Sequence, residues 1–503
     1  MYFGEAFDVF LVRGCTQGRV RPAAIFESVV YRMKHISLEP WHSHPLSYAN
    51  TSLRLFEYNG ALLRGIGAAY ESKVRELFDK RVLETIIAQD LFVPTEISDY
   101  SCDEYPLVLK HEKIQTITYP TEWCPEALRA AGMTVLDLQE ILLSQEYMLI
   151  DINPWNILFR RTRPVFVDLG SIIPCSSASS EQFLDEFNRY YFWPLRLAKK
   201  GLWRYVIYFF GDYNKGVRYG DALLLLGSRE LGQSMTLFSA AKTLLGSGIR
   251  RLPEPAKRHL RRLRSVTSPL APSLAANDLR TKIDQLRRSL SEVALPKGDD
   301  WKHGRSTERF DDWNQKQHNV KHIFGKVAPK SLFDVCANSG RYSLLAESMG
   351  IRAMSSDVVP DVMSQLYLNA RDGDRDIYPI VMDFCDPSPA RGVANNWFKA
   401  ATQRFRSDMV MCLAAIHKLV FGSQLSFDQI VAGLGAFSEK WLLVEFIPRD
   451  DETAGKYGAQ QLYDWYTESN FVRALEHRFQ LRETFPSFPG PRKLLLCERK
   501  QIE

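Results

Sequence analysis

The chain has eight cysteines in 503 residues and no CxxC pair among them. Cys15, Cys102, Cys124, Cys175, Cys336, Cys385, Cys412 and Cys497 are scattered along its length. That spacing argues against a zinc site and against a disulfide framework, and most of them sit beside apolar residues, as reduced core cysteines do. A reducing, cytoplasmic setting without a metal site is therefore expected. Long apolar runs are also missing. The longest, residues 202–210, is broken by Arg204 and has about half of the ~20 residues that a bilayer-spanning helix needs. A buried helix is the expectation there. Lys199, Lys200 and Arg204 flank its aromatic residues, so the alternative is a weak contact with a membrane surface. The first residues, MYFGEAFDVFLVRG, carry neither a basic start nor an uninterrupted apolar stretch, which argues against a secretory signal. Excess charge is small, +5 overall, and gives no reason to expect a specific nucleic-acid partner. No GxGxxG and no internal repeat is present.

What is there divides the chain. At 503 residues more than one domain is expected. Residues 1–50 carry weak patterning and read as an irregular extension. Residues 52–57 and 61–66 are short apolar runs joined by Tyr58-Asn59-Gly60, a hairpin signal because both Asn and Gly tolerate positive φ. Residues 68–89 repeat apolar side chains at three- and four-residue intervals and predict one helix. A strand over 105–110, a helix over 127–144 and mainly helical text over 181–245 follow. Then Arg250, Arg251, Lys257, Arg258, Arg261, Arg262 and Arg264 cluster among prolines, ahead of a Ser, Pro and Ala stretch over 265–276. This reads as a linker, and a polar helix over 277–293 leads into the last domain. The expected division is an extension (1–50), an α+β domain (51–245), a basic Pro-containing linker and helix (246–300), and a second domain (301–503).

The last domain reads strand, loop, helix, strand. Residues 331–336 are an apolar run containing an acid, Ala337-Asn338-Ser339-Gly340 is a small-residue turn, 342–348 a helix, and 351–356 a second run closed by Asp357. Such βαβ order argues for a parallel sheet with helices on both faces. Third, fourth and fifth strands are expected over 379–383, 408–413 and 441–446, with 479–483 and 493–498 as an antiparallel pair completing seven. Ligands of open α/β sheets bind beyond the carboxyl ends of the strands, where an acid ending the second strand accepts hydrogen bonds from a ribose diol. Asp357 and Asp383 also suit helix caps, and His417, after the fourth strand, suits a satisfied structural histidine.

The stretch Phe333-Asp334-Val335-Cys336-Ala337-Asn338-Ser339-Gly340-Arg341-Tyr342-Ser343 resembles the first cofactor-binding motif of class I S-adenosylmethionine (SAM)-dependent methyltransferases. It is most similar to a D-x-G-A-N-x-G-x-Y-S version found in bacterial methyltransferases grouped with the rhizobial nodulation proteins. The segments MDFCDPSP, AIHKLV and VEFIPRDD, and upstream HEKI, YPTEW and PVFVD, resemble the same subfamily, over most of residues 50–500. The resemblance implies a Rossmann-like seven-stranded domain. It implies that Asp334, Asn338 and Gly340 line the loop under the methionine part of SAM, that Asp357 binds the ribose hydroxyls, and that Asp383 and Phe384 lie by the adenine. His417 would face the substrate side as a base or orienting group. Cys336 departs from the pattern, which has glycine there, and its side chain is expected to crowd the loop.

A second signature lies upstream. Asp151, then Asn156 five residues on, then Asp168-Leu169-Gly170 after a strand resemble the catalytic loop and metal-binding segment of protein kinase-like phosphotransferases. In that resemblance Asp151 is the base, and Asn156 and Asp168 hold Mg²⁺. A glycine-rich loop is absent, and Arg64 stands where an ATP-contacting lysine is expected; arginine is no free substitute there. The favoured reading is a kinase-like scaffold that no longer transfers phosphate. The expected function is methyl transfer from SAM to an O or N atom of a small-molecule or glycan-type acceptor. The alternatives are an Mg-ATP phosphotransferase and a SAM-binding scaffold without turnover.

Overall fold

A computed structural model describes residues 34–36, 52–211, 215–227, 276–296, 313–455 and 463–501. The basic cluster at 250–264 lies outside the described residues. From the expected irregular extension, one strand is described: β1 (Lys34–Ile36) pairs in parallel with β5 (Tyr100–Cys102), because Ile36 is buried against Phe56, Leu63 and Cys102.

β2 (Leu53–Tyr58) and β3 (Ala61–Ile66) form the expected hairpin. Asn59 and Gly60 take φ of 48° and 79°, two successive left-handed residues whose twist matches the flanking strands. With β4 (Thr95–Ile97) and β6 (Leu107–His111) they make a four-stranded antiparallel sheet in the order β2-β3-β6-β4. The helix expected over 68–89 is two helices, α1 (Ala68–Asp79) and α2 (Val82–Ala88). Arg81 between them sits at φ 58°, a left-handed conformation that a continuous helix cannot contain. α3 (Pro125–Ser144) starts on a proline, whose fixed φ and missing N–H suit the first turn. Its Leu128, Ala131, Val135, Leu138 and Leu142 are fully buried. β7 (Tyr147–Leu149) leads into the Asp151–Asn156 loop, the hairpin β8 (Ile157–Arg160) and β9 (Arg163–Phe166), and β10 (Ile172–Pro174). Helices α4 (Ser177–Phe187), α5 (Trp193–Lys199), α6 (Trp203–Gly211) and α7 (Tyr219–Leu226) follow. This α+β order is the expected kinase-like one. In α6, Trp203, Val206 and Phe210 face inward while Tyr208 is exposed. α8 (Ala276–Ser291) packs on α3. Its Leu279, Ile283 and Leu290 are buried, and the Arg129 guanidinium donates to the carbonyls of Leu290, Ser291 and Val293.

The C-terminal part is one seven-stranded sheet. α9 (Gln315–Val327) precedes β11 (Ser331–Val335), α10 (Arg341–Ser348), β12 (Arg352–Asp357), α11 (Pro360–Asp372), β13 (Ile377–Val381) and β14 (Ser407–Cys412). α12 (Ile416–Phe421), α13 (Phe427–Phe437), β15 (Ser438–Phe446), α14 (Glu468–Glu476), β16 (Phe479–Pro486) and β17 (Lys493–Arg499) complete it. The strand order is β13-β12-β11-β14-β15-β17-β16. The first five strands run parallel and β17 is antiparallel to both neighbours. This is the Rossmann-like arrangement expected, reversing direction of travel between β11 and β14. Ligands bind at such a switch point, beyond the carboxyl ends of the strands.

The two parts share a core. Buried residues of α3 and of α11, among them Val362, Met363 and Leu366, belong to one apolar cluster. The Tyr367 hydroxyl donates to the Thr162 carbonyl at 2.6 Å. Arg404, 4% exposed, donates to the carboxylate of Glu122, 0% exposed, and lies 3.8 Å over the Tyr119 ring. Phe398 packs on Trp155, with ring centroids 4.4 Å apart.

Candidate functional site

The turn after β11 runs beyond the carboxyl ends of the central strands. Cys336, Asn338 and Gly340 have φ of 55°, 48° and 70°, so the chain folds tightly enough for the Ala337 N–H to reach the Ser356 carbonyl at 2.9 Å. Gly340 is required twice over. Its φ is left-handed, and a Cβ there would stand 2.6 Å from Leu366 Cδ1. Cys336 meets the same backbone demand with a side chain. Its thiol is pushed up to about 12 by burial and by Asp357, so it is protonated and not a nucleophile.

Asp357 closes β12 as expected. Its Oδ2 accepts the Asn338 N–H at 2.9 Å and its Oδ1 accepts the Val359 N–H at 3.0 Å. The carboxylate thus ties the turn to the second strand and caps its own exit. A carboxylate has about four lone-pair sites, so each oxygen keeps acceptor capacity for a further hydroxyl. Asp334 is 3% exposed and takes a 2.7 Å hydrogen bond from Ser343 Oγ. Burial raises its carboxyl to about 7, against the lowering effect of that bond, and Asp357 raises it further.

Asp383 lies two residues past β13 rather than within it. Its Oδ1 accepts the Cys385 N–H at 2.8 Å. Phe384, 8% exposed, is packed in the core beside Gly433, where a Cβ would come 2.7 Å from the ring. Of the expected site residues, Asn338 and Gly340 lie in the turn, Asp357 at the end of β12 is bonded to it, Asp334 is buried within β11 on Ser343, and Asp383 and Phe384 lie beyond β13.

His417 is in the first turn of α12, after β14, and is 0% exposed. Burial, with Lys418 and Arg492 nearby, lowers it to about 4, so its imidazole is neutral at pH 7. Beside it lies a network that sequence reasoning missed. Glu445, buried at 0% exposure, accepts from Lys316 Nζ at 2.6 Å, from Ser487 Oγ at 2.5 Å and from the Ala414 N–H at 2.8 Å. It binds α9, the exit of β14 and the β16–β17 connection into one piece. Asp451 takes two 2.8 Å bonds from Arg492, which hold its carboxyl down at about 2. Nothing local in the sequence points from Glu445 to Lys316, 129 residues away.

In the N-terminal part, Asn156 Nδ2 donates to the Asp151 carbonyl at 2.9 Å. Asp151 sits at φ 53°, and burial, then Asp168, raises its carboxyl. Asp168 accepts from the Gly170 N–H at 3.2 Å and from Ser171 Oγ at 2.5 Å. Arg64 is buried; burial lowers it while Asp168 raises it. Its Nε donates to His111 Nε2 at 3.1 Å, and burial and Arg64 keep that imidazole well below its usual range. Among the described residues, no group of three or more His, Cys, Asp or Glu side chains could hold a metal ion, and no helix is long and apolar enough to cross a membrane.

No family model matches the chain. It is 26% identical over 459 residues, covering 86% of this chain and 91% of the other, to the nodulation protein NoeA of Rhizobium meliloti (strain 1021). Among solved structures, the magnesium protoporphyrin IX methyltransferase of Synechocystis PCC 6803 with bound S-adenosylhomocysteine matches 40% of this chain and 93% of its own at 14% identity and a TM-score of 0.29. The bifunctional kinase-methyltransferase WbdD matches 42% of this chain and 46% of its own at 13% identity and a TM-score of 0.30. Likenesses this low carry no weight for the fold, which rests on the strand order itself.

Proposed function

We propose that the C-terminal domain is a SAM-dependent methyltransferase acting on an O or N atom of a small-molecule or glycan-type acceptor. One observation carries this reading: Asp357, at the carboxyl end of β12, holds the Asn338 amide of the left-handed turn after β11 while keeping lone pairs for a ribose diol. The residues present suit SAM. Gly340 would keep the turn low, Asp357 would take the ribose hydroxyls, and Asp383, beside the largely buried Phe384, would border the adenine. SAM supplies a methyl group already activated on a sulfonium, so the protein's share is alignment and exclusion of water. Asp334, Asn338 and Gly340 shape the floor under the methionine part. His417, buried and neutral at pH 7, would orient the acceptor side rather than take its proton, and the Glu445 network holds the Ala414 turn beside it.

The experiment is calorimetric titration of SAM into the full-length protein, with Asp357→Ala beside it. Micromolar binding that the substitution abolishes is the expected outcome. No binding by folded wild-type protein sinks the reading. The Mg-ATP phosphotransferase alternative at Asp151, Asn156 and Asp168 has Arg64 against it, a buried guanidinium already bonded to His111. Under the methyltransferase reading, Asp168→Ala leaves SAM binding intact.

A further inference from the structure

Positive charge collects at the foot of the seven-stranded sheet, away from the Asp357 turn. β14 and β15 begin there, with Ser407 beside Ser438, and β17 ends there, with Arg499 beside Phe479 of β16. Arg406, Arg478, Arg499 and Lys500 flank these strand ends. A cleft of about 580 Å³ opens beside them, lined by Asp428, His477, Arg478, Arg499 and Lys500 and by apolar side chains of α13 and α14. That volume lies within the roughly 300–1,000 Å³ of small-ligand sites.

The charges come from separate elements and are held in place. Arg499 Nη1 donates to the carbonyls of Gly435 and Ser438 at the end of α13, where the helix dipole favours a cation. Both bonds use the same nitrogen, so the rest of the guanidinium fork is not spent on them. The Arg478 stem runs beside Gly435, where a Cβ would come 3.2 Å from its Cδ. Burial lowers Arg499, and Arg406 and Arg478 lower it further, the mark of like charges brought together. Of the nearby acids, Glu498 pairs with Lys440 and Arg482 and Asp408 accepts the Lys330 N–H, while Asp428, paired with His477, stands on the cleft wall itself. Among the described residues, none of the three guanidiniums is ion-paired with a carboxylate.

We propose that this cleft binds a phosphoryl group, as a phosphate monoester or diphosphate. A multiply charged tetrahedral anion accepts from several guanidinium forks at once and relieves their mutual repulsion. A single carboxylate leaves most of that charge unanswered. The site lies at the opposite strand ends from the cofactor turn, so it is independent of the methyltransferase reading. The phosphoryl group comes either from a free metabolite or from a lipid headgroup.

The test is calorimetric titration of inorganic pyrophosphate into the full-length protein at physiological salt. Arg478→Gln and Lys500→Gln are the variants; both side chains line the cleft, are exposed and lie outside the cofactor turn. Saturable binding that weakens about tenfold or more in the variants is expected, since each removes a hydrogen bond between charged groups. Co-sedimentation with phosphatidic acid vesicles, against phosphatidylcholine vesicles, separates the sources. Retention that pyrophosphate displaces assigns a headgroup, and pyrophosphate binding without retention assigns a free metabolite. Absence of both, or binding that neither variant weakens, overturns the proposal.

Discussion

Cys336 occupies a backbone position, φ 55°, that charges an L-residue roughly 1–2 kcal/mol. Glycine has no such strain, and it is what the resembled motif carries. Cys336→Gly is therefore expected to stabilise the protein by about 1 kcal/mol, offset in part by the freer unfolded chain, with SAM affinity maintained or improved. A urea midpoint that falls in the variant contradicts the strain argument. Asp334 yields a second expectation at this scale. Burial raises its carboxyl to about 7, and under the proposed function bound SAM would bring the positive charge of its sulfonium near the turn. A cation favours the ionised carboxylate, so binding releases a proton, and SAM affinity rises with pH through about 7 before levelling off. Calorimetry in two buffers of different ionisation enthalpy measures the release. Asp334→Asn abolishes it, and equal apparent enthalpies in both buffers for the wild type count against the assignment.

At the scale of elements, the β11–α10 turn depends on α11 as much as on its own residues. Gly340→Ala meets the left-handed backbone cost of roughly 1–2 kcal/mol. It also drives a Cβ against Leu366, an overpacking cost of roughly 1–3 kcal/mol. Adding Leu366→Ala relieves the second cost and not the first, although it opens a cavity of its own. A double-mutant cycle on urea midpoints reads the coupling, and strict additivity shows the two residues are not in contact. These elements were readable in the sequence to different degrees. β11, β12 and β14 are short apolar runs flanked by small or acidic residues, and burial on both faces of a parallel strand leaves that signature. The break at Arg81 was not readable, because apolar spacing continues through it on both sides. The displacement of Asp383 beyond β13 was also hidden, since Met382 is as apolar as the strand before it.

For the whole molecule, the joint between the two parts is the feature with most at stake. Arg404 and Glu122 are both nearly inaccessible to solvent, and Glu122 also accepts the Tyr119 N–H at 2.9 Å. Arg404→Met leaves a buried carboxylate without its cation, a loss of about 3–5 kcal/mol. Arg404→Met combined with Glu122→Gln is expected to recover much of it. Thermal unfolding of the full-length variants measures both, and a single substitution without effect means the pair is not buried in solution. The same joint places Trp155, inside the Asp151–Asn156 loop, against Phe398 of the segment that follows Asp383. The N-terminal part is thus packed onto the segment that follows the candidate adenine-side residues.

The sequence by itself determined the strands of the C-terminal sheet, their βαβ order, the hairpin at Asn59-Gly60 and the acids at Asp334 and Asp357, because periodicity, turn chemistry and motif spacing are local properties written within a few residues. Only the tertiary structure decided which charges are buried and with whom: Lys316 with Glu445, Arg404 with Glu122, Arg64 with His111, and His417 held neutral among them. It alone decided that α8 packs on α3. Those outcomes turn on desolvation by residues more than a hundred positions away in several cases, and the cost or gain of burying a charge is set by what packs opposite it, which no local pattern records.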